Sequence, residues 1–144
     1  MLIGEYEGKI TEKNRLAVPA RVRSEFKSGL IVSRGYEGCL LLLDGTRWKQ
    51  LIEVVTAKPL LQMSIRDTMR FLVGGAHQVE LDAQGRFVIP SSLKDYAELD
   101  QDVVFVSVLD WVEIWDRQRW LTKLSDLAGS ASDIAERLMQ DYEK

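Results

Sequence analysis

Cysteine and histidine are nearly absent from this 144-residue chain: there is one of each, Cys39 and His77. A single thiol cannot form an intrachain disulfide. Its place in Cys39-Leu-Leu-Leu-Leu43 marks it as a buried thiol of a reducing compartment. One histidine and one distant cysteine also fall short of the three or four ligands of a zinc site, so no metal is expected. No stretch approaches the roughly 18 consecutive apolar residues of a membrane span. The opening Met-Leu-Ile-Gly-Glu-Tyr-Glu lacks the basic region and apolar run of a signal peptide. Signatures of chemistry are missing too. Ser91-Ser-Leu-Lys94 formally contains the Ser-x-x-Lys of penicillin-recognising enzymes, but its companion motifs are absent and it falls on a proline-opened helix. Gly74-Gly75 is a helix stop rather than a dinucleotide loop, since no Gly-x-Gly-x-x-Gly follows a strand. The expectation is a cytoplasmic protein with no catalytic site, cofactor or small-molecule substrate.

What the chain does have is repetition. Arg15-Leu-Ala-Val-Pro-Ala-Arg-Val-Arg23 returns 71 residues later as Arg86-Phe-Val-Ile-Pro-Ser-Ser-Leu-Lys94. Leu43-Asp44-Gly-Thr-Arg47-Trp48 returns 72 residues later as Trp115-Asp116-Arg-Gln-Arg119-Trp120. Two blocks of about fifty residues in the same order are a tandem duplication of one supersecondary unit.

Each block reads as strand, tight turn, strand, short helix, two strands, helix. Gln78–Leu81 alternates, 82–85 is a turn, and Arg86–Ile89 is a β-branched strand. Pro90 follows at once and suits the first turn of a helix, as Pro19 does in the first block. Val103–Val108 and Trp111–Trp115 form a strand pair, matched by Leu30–Val32 and Leu40–Leu43. Asp44 and Asp116 are placed as N-caps of helices carrying Trp48 and Trp120, whose equivalent positions point to core or interface packing. Residues 59–73 read as a linking helix, with Leu60, Leu61, Ile65, Met69 and Leu72 on one face, and 132–142 as a separate short amphipathic tail helix. Each block alone would leave many strand edges open, which favours two interleaved halves in a pseudo-symmetric α+β unit.

The turn before Arg86 is the sharpest local signal. Asp82 can accept from turn amides two residues on, Gly85 supplies a positive φ, and Arg86 leaves the turn within reach of Asp82. In the first copy, Thr11-Glu-Lys-Asn14-Arg15, asparagine takes the left-handed position and threonine replaces aspartate. Arg15 therefore lacks its carboxylate four residues back and is freer to meet an external anion. Arg86 is open to an internal ion pair or to an anion.

Charge agrees with that inequality. The chain carries a net −3, yet residues 4–55 hold nine Lys/Arg against seven Asp/Glu, and residues 76–127 hold five against ten. From Lys9 to Arg34 there are seven basic residues and only Glu12 and Glu25, a candidate anion-binding patch.

The Gly-Arg turn, the Val-Ile-Pro strand and the two tandem copies with their Asp44/Trp48 and Asp116/Trp120 helices resemble the MraZ family, over roughly residues 1–127. The resemblance implies tandem SpoVT/AbrB-type swapped-hairpin β-barrel half-units with connecting helices outside. The corresponding division is 5–47 and 76–119 for the two domains, 48–75 for the helical connection, and 120–144 for the last helix and tail. It also implies a nucleoid-associated transcriptional regulator, assembled as a ring larger than a dimer. Such a regulator binds short direct repeats of double-stranded DNA upstream of the division and cell-wall gene cluster. Carried onto this chain, the DNA-binding residues are Arg15 and Arg86, with Lys13 in the first turn and Arg21 and Arg23 on the following helix. Thr11 departs from the family's aspartate. The alternatives are an AbrB-like antitoxin and an oligomeric scaffold with no nucleic-acid role.

Overall fold

The computed structural model describes residues 1–143. The first repeat contributes strands β1 (Leu2–Lys9) and β2 (Arg15–Ala17), helix α1 (Ala20–Arg23), strands β3 (Leu30–Arg34) and β4 (Leu40–Asp44), and helix α2 (Gly45–Thr56). Helix α3 (Met63–Leu72) links it to the second. There β5 (His77–Val79), β6 (Arg86–Val88), α4 (Ser91–Tyr96), β7 (Asp102–Leu109), β8 (Val112–Asp116) and α5 (Arg117–Glu143) follow in the same order. The fold is α+β, and every strand pair is antiparallel.

The two repeats exchange strands. The six-stranded sheet runs β1-β7-β8-β4-β3-β5, so the first strand of each repeat pairs with the third strand of the other. The β1–β7 ladder runs from Leu2 opposite Leu109 to Lys9 opposite Asp102. The remaining strands, β2 and β6, pair with each other, with Leu16 opposite Phe87 at the centre, and Leu16 also bridges Ile10. The order is unchanged when the repeats are swapped, as expected if each open-edged half is completed by the other.

Burial explains the apolar runs. Leu40 and Leu42 join Leu16, Phe87, Val18, Ile89, Val22, Leu93, Val103, Phe105 and Ile114 in the main core, between the sheet, the β2–β6 ribbon and the short helices. Leu41 and Leu43 face the other way, against Leu72, Trp48, Leu51 and Phe71. Val104 and Val106 likewise face Trp115, Trp120 and Cys39. The central strands are covered on both faces, which is why they are continuously rather than alternately apolar.

Both helix caps form. Asp44 accepts from the Thr46 amide at 2.9 Å, and Asp116 from the Arg119 amide at 3.3 Å. Trp48 is half-buried and Trp120 buried, the latter donating from Nε1 to Glu5 Oε1 at 2.7 Å. Two helix readings need correction. The linking helix starts at Met63 rather than Pro59, because 59–62 form a turn closed by Gln62 N donating to Pro59 O; Leu60 and Leu61 are exposed. The tail is no separate helix: α5 runs unbroken for 27 residues through Gly129, with Ile134, Leu138 and Met139 exposed near its end. Lys144 of the expected tail lies outside the described residues.

Candidate nucleic-acid interface

The β2–β6 ribbon sets the geometry of the candidate site. With Leu16 and Phe87 buried beneath it, the period of two turns Arg15, Ala17, Arg86 and Val88 to the opposite side. Ala17 and Val88 are exposed, and both arginines half-buried. Arg15 pairs with Val88 and Arg86 with Ala17, so the two arginines stand diagonally on one face of a short ribbon. Diagonal neighbours of this kind are about 7–8 Å apart.

The two turns share a backbone and differ in side chains. Asp82 N donates to Arg86 O at 2.8 Å and Gly85 N to Asp82 O at 3.0 Å; Thr11 N donates to Arg15 O at 2.9 Å and Asn14 N to Thr11 O at 3.0 Å. The left-handed position is Gly85 at φ 75° in one and Asn14 at φ 57° in the other. Asp82 accepts from the amides of Gln84 and Arg86 at 2.9 and 3.0 Å, and from Arg86 Nε at 3.0 Å. Those bonds, that of the Arg86 amide foremost, hold its carboxyl below the usual aspartate range against the opposing effect of desolvation. Thr11 offers only Oγ1 to the Arg15 amide, at 3.3 Å. Among the described residues no ion pair forms at Arg15, Lys13 or Arg21.

Other members of the basic segment are already engaged. Lys9 approaches Asp102 at 3.9 Å. Arg34 donates from Nε to Phe71 O and from Nη2 to Arg70 O, both at 3.0 Å, closing the C-terminus of α3. Arg23 is half-buried and donates from Nη1 to Val18 O at 3.0 Å. Arg21 is exposed on α1 and borders a depression with Met1, Tyr6, Ser24 and Glu25.

Lys94, which lies outside the basic segment, meets the first turn from the other repeat: its Nζ donates to Asn14 Oδ1 at 2.8 Å. Charge counting passes over it, but the repeat spacing places it at the position of Arg23. Cys39 is buried, and burial raises its thiol pKa, with Glu113 and Glu37 adding to the effect. Among the described residues no cluster of His, Cys, Asp or Glu could hold a metal, and no helix is long and apolar enough to cross a membrane.

Comparison with known proteins bears on the same repeats. The model of a family described as "MraZ protein, putative antitoxin-like" matches twice in succession, over residues 1–71 and 72–142. The chain is 38% identical over 138 residues to a protein of Herpetosiphon aurantiacus named Transcriptional regulator MraZ, covering 96% of each. It is 37% identical over 139 residues to the protein of that name in Heliobacterium modesticaldum, covering 96% of this chain and 97% of the relative. It is 39% identical over 120 residues to that of Clostridium beijerinckii, covering 83% and 84%. With both repeats matched and near-full-length relatives at this identity, the chain belongs to the MraZ family.

Proposed function

We propose that the chain is a DNA-binding transcriptional regulator that does no chemistry of its own and grips duplex DNA first through Arg15. One observation carries this reading. Among the described residues Arg15 has no carboxylate partner on the solvent side of the β2–β6 ribbon, whereas its repeat mate Arg86 is tied to Asp82 at 3.0 Å. A guanidinium without an internal partner is free to meet phosphate or base edges. Lys13 in the same turn and Arg21 on α1 add positive charge that is unpaired among the described residues; Arg86 and Arg23 join the surface already engaged, Arg86 with Asp82 and Arg23 with Val18 O. The relatives' shared name, Transcriptional regulator MraZ, supports the same role.

The finer reading is a pair of AbrB-type swapped hairpins, which the exchange of β1 and β5 between repeats supports. One subunit presents few free cations, so specific binding needs several subunits on one face. We therefore propose a closed ring larger than a dimer on short direct repeats upstream of the division and cell-wall genes, in the cytoplasm at the nucleoid. Exposed Val54 on α2, Met63 on α3 and Leu61 between them supply apolar surface for subunit contacts.

The test is a mobility shift of labelled duplex from upstream of the chain's own gene. Wild type should shift it and Arg15→Ala should not, with both eluting at the same oligomeric mass. Retained affinity in Arg15→Ala removes the assignment, and a monomeric wild-type mass in light scattering removes the ring.

A further inference from the structure

The two arginine-bearing turns are each held from the opposite repeat. Ile89 N donates to Asn14 O at 2.8 Å, and Val18 N donates to Gly85 O at 2.9 Å, so the left-handed residue of each turn is fixed by the strand end of the other half. A basic side chain completes each contact. Lys94 Nζ reaches Asn14 Oδ1 at 2.8 Å across 80 residues of sequence. Arg23 lies directly over Gly85, where a Cβ would stand 1.8 Å from its Nη1 and 2.6 Å from its Cζ.

We propose that Lys94 and Arg23 are positioning residues of the DNA interface, each setting the turn from which the other repeat's arginine acts: Lys94 for Arg15, Arg23 for Arg86. The inference rests on the DNA-binding reading above. Arg15 follows Asn14 directly. Asn14 stands in a left-handed conformation that L residues seldom hold, and a half-buried ammonium on its side chain confines both that conformation and the exit direction of β2. The Thr11 side chain supplies only one long bond to the turn, where the Asp82 side chain supplies three to its counterpart. The first turn therefore depends more on its clamp than the second. The ammonium of Lys94 is committed to an amide oxygen, so its effect on DNA runs through Arg15 rather than through a phosphate of its own.

Salt dependence separates the two roles. The labelled duplex from upstream of the gene is titrated with full-length wild type, Lys94→Ala and Lys94→Arg over a range of salt. Lys94→Ala should weaken binding roughly three- to tenfold, the effect of one lost hydrogen bond, with the slope of log K against log salt unchanged. Losing a phosphate contact would instead flatten that slope by about 0.9. Lys94→Arg should restore affinity. Without DNA, amide hydrogen exchange at residues 13–15 should quicken in Lys94→Ala while that at residues 84–86 stays as in wild type. A flattened slope would make Lys94 a direct contact and overturn the proposal. Unchanged exchange at 13–15 overturns the clamp whether or not DNA binds, and a wild type that shifts no duplex overturns the DNA reading itself.

Discussion

Gly85→Ala should destabilise the protein by about 2 kcal/mol, from two separable sources. Gly85 has φ 75°, and placing an L residue in that region costs about 1 kcal/mol. The new methyl would also stand 1.8 Å from Arg23 Nη1 and 2.9 Å from its Cδ, so the guanidinium must leave. With it goes the 3.0 Å bond to Val18 O, about 1 kcal/mol net for a half-buried hydrogen bond. For a chain of this length the sum corresponds to a fall of roughly 4–8 °C in melting temperature. Two further variants divide the sum. Gly85→Asn tolerates the left-handed φ but still displaces Arg23, so it should lose about half as much. Gly85→Ala in an Arg23→Ala background keeps the backbone strain without the collision and should again lose about half. Urea unfolding at one fixed protein concentration reads all of these. A Gly85→Ala variant within about 0.5 kcal/mol of wild type, the range of ordinary surface changes, would refute the reasoning. So would an equal loss with and without Arg23.

The two arginines should behave unequally: Arg15→Ala loses more DNA affinity, and Arg86→Ala loses more thermal stability because it abandons Asp82. Equal binding losses with unchanged melting would show that both turns face DNA alike. Asp82 also makes the second turn acid-sensitive. Its folded carboxyl titrates below the ordinary 3.8, so its stabilising effect is complete above that value and disappears as the pH falls through the depressed one. The stability difference between wild type and Asp82→Asn should accordingly be full near neutral pH and shrink in acid, and a pH-independent difference would refute the assignment. Met69→Asp, on the half-buried side of α3, should lower the oligomeric mass and DNA affinity together; a variant that is monomeric yet binds as tightly as wild type would dissociate the ring from the avidity.

Much of this architecture is visible in the sequence because local chemistry recurs at a fixed spacing. Pro19 and Pro90 open equivalent helices, and Asp44 and Asp116 cap equivalent ones. Partner choice is not visible in that way. Alternation along β1 says which side chains face inward, but the ladder that joins it to β7 is made of backbone groups that any strand offers. The separate tail helix expected over 132–142 is instead the end of α5, because the single interior glycine before it, Gly129, costs only about 1 kcal/mol and no proline or left-handed residue stops the helix. At the interface, the missing carboxylate at Thr11 is legible from four residues of sequence. That Arg34 is occupied by the carbonyls of α3, and that Lys94 rather than a nearer residue meets Asn14, depends on contacts across 36 to 80 residues. Counting charge along the chain cannot reveal them.

The β1–β7 ladder has a consequence during synthesis. β1 is complete at Lys9, but its partner is not finished until Leu109, a hundred residues later. At 5–20 residues per second, the first strand waits about 5–20 s on the ribosome before its hydrogen-bonding edge can be covered. During that wait it could pair with the same strand of a neighbouring nascent chain. Glu5, Glu7 and Lys9, every second residue along one side of β1, place charge on that side while the strand is unpaired. In the finished fold Glu5 takes the indole hydrogen of Trp120 and Glu7 pairs with Arg117, so charges suited to guarding the nascent strand end by seating the last helix on it.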